Sequence, residues 1–160
     1  MTFVINETGF CDTQTGLSIT DVPQNTPPFN SITTLIPTAV IPDLWPVIEG
    51  RIAASLRYAG ETYRLDDVRA ALAAGEWQLW GDGVSVICTR VAEYPGSRTL
   101  FVMLASGELA GIKAMWPTLA TFGRANGCDH MTGYARPGWR RSGGLPDGWK
   151  HVKDVIAVEL

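Results

Sequence analysis

The sequence predicts an α/β fold, a mixed and mainly antiparallel sheet flanked by helices, with an extended proline-rich arm in front of it. Three observations carry that expectation. Pro23, Pro27, Pro28, Pro37, Pro42 and Pro46 crowd the beginning of the chain, where fixed φ angles and missing donors rule out a regular helix or a central strand. Two stretches further on repeat their apolar residues every three or four positions, the spacing of one helical face. Between them the period drops to two, with turn residues at regular intervals, which is the pattern of hairpin-connected strands.

The arm covers residues 1–42. Phe3, Val4, Ile5, Phe10, Leu17, Ile19, Phe29, Ile32, Leu35 and Ile36 make it too apolar for a free linker, so it is expected to lie against its own domain or a neighbouring subunit. A domain over 43–160 follows. Its first helix is read from Leu44, Ile48, Ile52 and Leu56, with Pro46 in the first turn and Gly60 as the stop. A second helix has Asp66 as its cap, Val68, Ala71 and Leu72 inward, and Gly75 at its end.

Three antiparallel strands come next: one through Trp77 and Leu79, one through Val84, Val86 and Cys88, and one from Leu100 to Leu104, joined by turns at Gly81–Gly83 and Tyr94–Ser97. The helical period returns at Leu109, Ile112, Trp116 and Leu119 and closes at Asn126 and Gly127, with Pro117 expected to bend the helix. A strand at His130–Tyr134, a helical turn at Gly138–Ser142 and a last strand at Lys150–Leu160 complete the order.

A chain of 160 residues is the size of one domain with one core. With 46% hydrophobic and 18% charged residues it falls among globular rather than disordered sequences. A net charge of −3 gives no overall positive field to hold nucleic acid. No run of eighteen apolar residues occurs and MTFVINETGF is unlike a signal peptide, so a protein that is not secreted and stays in a cytoplasm is expected. Cys11, Cys88 and Cys128 form no Cys-x-x-Cys pair, and His130 and His151 do not complete a ligand set, so neither disulfides nor a metal site are expected. The cysteines read as buried thiols. Arg136, Arg140 and Arg141 stand close together without a core duty and are candidates for gripping an acidic surface of a partner.

The element order from Asp43 to Leu160, together with GEWQLW at 75–80, ICTRVAEYPGSRTLFV at 87–102, ANGCDHMTGYARPGWRRS at 125–142 and GLPDGW at 144–149, resembles the GNAT acyltransferase superfamily. The likeness is strongest to small phage-encoded members, including internal virion proteins of tailed bacteriophages. It implies a three-layer fold of sheet and helices. In that family the fourth strand splays from the fifth, and the diphosphate of acetyl-CoA lies on bare amides at the start of the central helix. The family pattern there is Gln or Arg, two residues, Gly, one residue, then Gly or Ala.

Here the stretch is SGELAGIK. With Gly111 as the central glycine, Glu108 takes the Gln/Arg position and Lys113 the small one. Two functions follow from the resemblance. The first, preferred because of Glu108 and Lys113, is a non-catalytic structural or accessory component of a tailed-phage particle, in its head, portal or ejection apparatus. It takes no cofactor and packs through its arm against other virion or head-assembly proteins in an oligomeric assembly, in the virion or the host cytoplasm. The alternative is an acetyl-CoA-dependent N-acetyltransferase, with Gly107 and Gly111 at the cofactor and Tyr134 as the general acid.

Overall fold

A computed structural model describes residues 33–58, 62–135 and 148–150. Among these residues the sheet has five strands in the order of the chain: β1 (Thr34–Ile36), β2 (Gln78–Gly81), β3 (Val86–Tyr94), β4 (Ser97–Ser106) and β5 (His130–Gly133). Neighbours are antiparallel except β4 and β5, which run parallel. Parallel strands need a crossover, and α3 (Leu109–Ala125) supplies it. The expected mixed, mainly antiparallel sheet flanked by helices is therefore the observed architecture.

Thr34–Ile36 lies within the stretch read as arm, yet it is the edge strand of the sheet, pairing Leu35 with Trp80. A short 3₁₀ turn at Thr38–Val40 then leads into α1 (Ile41–Leu56), and α2 (Leu65–Ala73) follows. Residues 1–32, the rest of that stretch, fall outside the described residues, as do Gly60, the turn at 138–142 and nearly all of the last strand.

Two helical layers sandwich the sheet, and the alternation of β3 assigns its side chains to them. Val86 and Cys88 pack with Leu44, Ile48, Ile52, Val68 and Leu72 of α1 and α2. Ile87 packs with Ile112, Met115, Trp116 and Leu119 of α3. Ile48 and Leu119 are completely enclosed; burying a side chain of that size contributes about 1.5–3 kcal/mol. The predicted spacing of α1, with Leu44, Ile48 and Ile52 on one face, is the face that is buried.

The helix ends correct several details. α1 starts at Ile41, so Pro42 occupies the first turn and Pro46 sits beyond it, on the exposed side of the helix. The cap of α2 is Arg64, not Asp66, and its backbone N–H donates to the Asp67 carboxylate at 2.8 Å. At the end of α3 the Cys128 N–H donates to Gly123 O at 2.9 Å and the Gly127 N–H to Arg124 O at 3.1 Å, the paired bonds of a Schellman stop with Gly127 at φ +71°. α3 continues through Pro117. Trp149 reaches the α3 layer, its ring 5.3 Å from that of Trp116.

Candidate functional site

β4 and β5 stay paired only from Thr99/His130 to Val102/Gly133. Immediately beyond Val102 the β3–β4 register slips: Thr89 faces Val102, but Cys88 faces Leu104, leaving Met103 as an extra residue. A bulge of this kind bends a strand and ends regular pairing. β5 stops at Gly133 while β4 runs on to Ser106, so among the described residues the β5-side edge of Met103–Ser106 has no strand partner. The approach just before the parting is close, since a Cβ on Gly133 would meet Val102 O at 2.9 Å. Among the described residues the result is a cleft at the C-terminal end of two parallel strands.

α3 begins at the upper end of this cleft, and Gly107 to Ala110 are exposed there. The first-turn N–H groups of a helix have no intrahelical partner and carry partial positive charge. One neighbour is already spoken for: the Glu108 N–H donates to Ser85 Oγ at 3.1 Å, and Ser85 Oγ–H donates to Glu108 O at 3.3 Å. Ser85 is held in turn by Asp82, whose Oδ1 accepts from Val84 N at 2.9 Å and Ser85 N at 2.6 Å. The β2–β3 turn thus latches onto the start of α3.

That latch explains both glycines. A Cβ on Gly107, at φ +122°, would strike the Ser85 backbone, and one on Gly111 would strike Asp82 Oδ2 and Ser85 Oγ. The close approach they allow is to the turn. The amides left facing solvent are those of the exposed first turn, and Glu108 makes no side-chain cap bond to them. Its carboxylate therefore stands in solvent beside the helix N-terminus.

Tyr134 lies one residue past the end of β5. It is 72% exposed, with its ring edge-on to Phe101 at 5.2 Å, so the phenol is presented at the cleft rather than buried in the core. Phe101 lies opposite Arg90 on one side and Thr132 on the other. Asp129, by contrast, is placed at the far end of the strands. Its Oδ2 accepts from Arg98 N and its own N–H donates to Arg98 O, both at 2.8 Å. The nearby His130 Nε2 lies 3.0 Å from the buried Thr99 Oγ1. A small cavity of about 110 Å³ between the end of α3 and the start of β5 is also at that far end.

Neither described cysteine is poised as a nucleophile. Burial pushes the Cys88 thiol up to about 12, and burial, opposed by Arg98 and assisted by Asp129, raises that of Cys128. Gly107 and Gly111 lie at the start of α3 against the β2–β3 turn and Tyr134 lies just past β5 against Phe101, whereas Arg136, Arg140 and Arg141 lie outside the described residues. Sequence reading passed over Asp82, Ser85 and Arg90. The Asp-Gly turn at 82 and 83 was a visible signal, but its contact with α3 spans 23 residues and leaves no local pattern.

No protein-family model matches the sequence, and neither does any curated protein sequence. Solved structures match in shape. A ribosomal-protein-alanine N-acetyltransferase from Brucella melitensis biovar Abortus superposes with a TM-score of 0.55 at 16% identity, over 81% of this chain and 96% of that one. An aminoglycoside N-acetyltransferase in complex with CoA gives 0.55 at 13%, over 83% and 97%. An aminoglycoside acetyltransferase from an uncultured soil metagenomic sample, in complex with sisomicin, gives 0.54 at 10%, over 81% and 96%. The fold is the GNAT N-acetyltransferase fold. Within that frame β1 is an integral strand, and among the described residues β4 and β5 part after Val102/Gly133. The phage association of that resemblance has no counterpart among these GNAT neighbours.

Proposed function

We propose that the protein is an N-acyltransferase that moves an acetyl group from acetyl-CoA to an amine. The observation that carries this reading is the opening of β4 from β5 at Val102/Gly133, with the exposed start of α3 at one end and the Tyr134 phenol at its side. The edge of Met103–Ser106, without a strand partner among the described residues, offers backbone donors and acceptors to an extended amide-containing arm such as pantetheine. The exposed first turn of α3 fits a diphosphate, and the exposed Glu108 side chain weakens that fit without blocking it. Support also comes from the likeness in fold to an acetyltransferase that holds CoA.

Acetyl-CoA brings a thioester. In the transfer an N–C bond forms, the C–S bond breaks, the amine loses a proton and the departing sulfur gains one. β4 offers no carboxylate over Thr99–Ala105, so the amine proton leaves to water. Tyr134 holds the proton that the sulfur takes, the role of a general acid.

A second reading has its own support. The carboxylates of Asp82 and Glu108 both lie at the start of α3, an arrangement that disfavours a diphosphate and suits a non-catalytic protein of this fold. Such a protein would pack through its N-terminal segment against other components of a tailed-phage particle. Thermal unfolding with acetyl-CoA separates the two. A ligand at a hundred times its dissociation constant adds about 2.7 kcal/mol, so a clear rise in Tm is expected. An unchanged Tm at millimolar acetyl-CoA would leave the non-catalytic reading standing.

A further inference from the structure

Among the described residues Arg90 is a charge without a counter-charge. It sits in the middle of β3, half-buried, and its Nε is enclosed with no hydrogen-bond partner. The carboxylates that could have served it are engaged elsewhere: Glu93 pairs with Arg98 at 3.2 Å, and Asp129 is bound to the Arg98 N–H. Among the described residues no other acid reaches it. An enclosed guanidinium donor with no acceptor costs stability, and such violations of local consistency concentrate where a fold serves a ligand.

The placement of Arg90 says which ligand. Val86 and Cys88 pack under α1 and α2, whereas Thr89 turns to the α3 side, accepting from Trp80 Nε1 at 2.9 Å. Arg90 therefore belongs to the α1/α2 face. Phe101, between Leu100 and Val102 of the α3 layer, faces the same way, and Tyr134 contacts it. Arg90, Phe101 and Thr132 lie side by side on β3, β4 and β5, one residue below the point where the strands part.

We propose that Arg90 receives a carboxylate of the acyl acceptor, so that the acceptor is an amine that also carries a carboxylate. The inference rests on the acyltransferase reading above. Arginine presents a planar fork that takes a carboxylate through two hydrogen bonds. The phosphates of the cofactor belong at the start of α3, at the other end of β3 from Glu93, so they do not compete for it. Strands spaced about 4.8 Å apart put β3 and β5 about 10 Å apart. An acceptor whose amine lies near Tyr134 and whose carboxylate meets Arg90 thus crosses the Phe101 ring, which suits a few methylenes between the two groups.

The test is a calorimetric titration with a product of such a transfer, N-acetyl-4-aminobutyrate, beside its uncharged amide. It needs no turnover. The wild-type protein is expected to bind the acid at least about tenfold more tightly than the amide, a difference of about 1.4 kcal/mol. Arg90→Met removes that preference by weakening the acid alone, and Arg90→Lys restores part of it. The urea midpoint of Arg90→Met is expected to be no lower than that of the wild type, because no native partner is lost. Equal affinity for acid and amide, no binding of either by the wild type, or a fall in the midpoint of Arg90→Met each overturns the proposal. Acetyl-CoA on the same preparations tells the two failures apart. A Tm rise with acetyl-CoA but no preference for the acid sinks the Arg90 site alone, while acid binding without that rise sinks the acyltransferase reading and leaves the carboxylate site.

Discussion

Glu108 puts a full negative charge at the point where the α3 N-terminus is most receptive to an anion. A charge at a helix end is worth about 0.3–1 kcal/mol at low salt, so Glu108→Gln is expected to tighten acetyl-CoA binding roughly two- to fivefold, an advantage that fades as salt is added. Isothermal titration at two ionic strengths measures it, and equal affinities for the two proteins would remove Glu108 from the account. Cys88 makes a separate point about the core. Its thiol is pushed from its ordinary 9.0 to about 12 by burial. Between those values the unfolded chain has lost the proton and the folded chain keeps it. The contribution is therefore complete below about pH 9 and is lost as pH rises toward 12. Cys88→Ala lacks this term, so although it is less stable near neutral pH, its deficit in urea midpoint should shrink at about pH 10.5. A deficit of constant size at both pH values would show that folding does not raise the pKa of this thiol.

At the scale of elements, the union of the β2–β3 turn with α3 decides how the cleft is framed. Gly107 needs a left-handed φ and faces the Ser85 backbone, whereas Gly111 faces only the side-chain ends of Asp82 and Ser85, although both are held by hydrogen bonds. Gly107→Ala is thus expected to cost more than Gly111→Ala. Both should exceed the loss of about 1 kcal/mol typical of a glycine in open space at positive φ, for which Gly127→Ala is the reference. Urea unfolding of the three variants gives the ranking, and it fails if Gly107→Ala is the mildest. The helices that flank the sheet were legible because each repeats its apolar residues on one face: Leu44, Ile48, Ile52 in α1 and Ile112, Trp116, Leu119 in α3. The β2–β4 meander was legible from alternation and turns. The latch and Arg90 were not, because an alternating strand shows which residues share a face but not which of them lacks a partner across the sheet. The wrong cap for α2 has a related cause: an acid is the expected capping residue in sequence, and only the Arg64 N–H bond to Asp67 shows that Arg64 is the cap and that the helix starts earlier.

At the scale of the whole molecule, sequence reading assigned to the arm a segment, Thr34–Ile36, that is a strand of the sheet. Pro37 and the crowd of prolines before it hid a strand of three residues, too short for its alternation to register. Yet β1 closes one edge of the sheet, Ile36 packs against the core shared by α1 and α2, and Ile41 at the head of α1 is buried. Among the described residues the sheet thus draws on positions from 34 to 133, and the parting of β4 from β5 lies at the opposite edge from β1. Two truncations follow from this layout. Removing residues 1–40 takes away β1, exposes the β2 edge at Leu79–Gly81 and strips the cover from Ile41; an unpaired edge of this kind is also prone to association between chains. Removing residues 1–32 leaves every one of those contacts in place. The shorter deletion is therefore expected to keep a cooperative urea transition close to that of the full chain, and the longer one to lower the midpoint and promote aggregation. If the two truncations unfold alike, β1 contributes nothing to the sheet's stability, and the domain begins at α1 as the pattern of prolines had suggested.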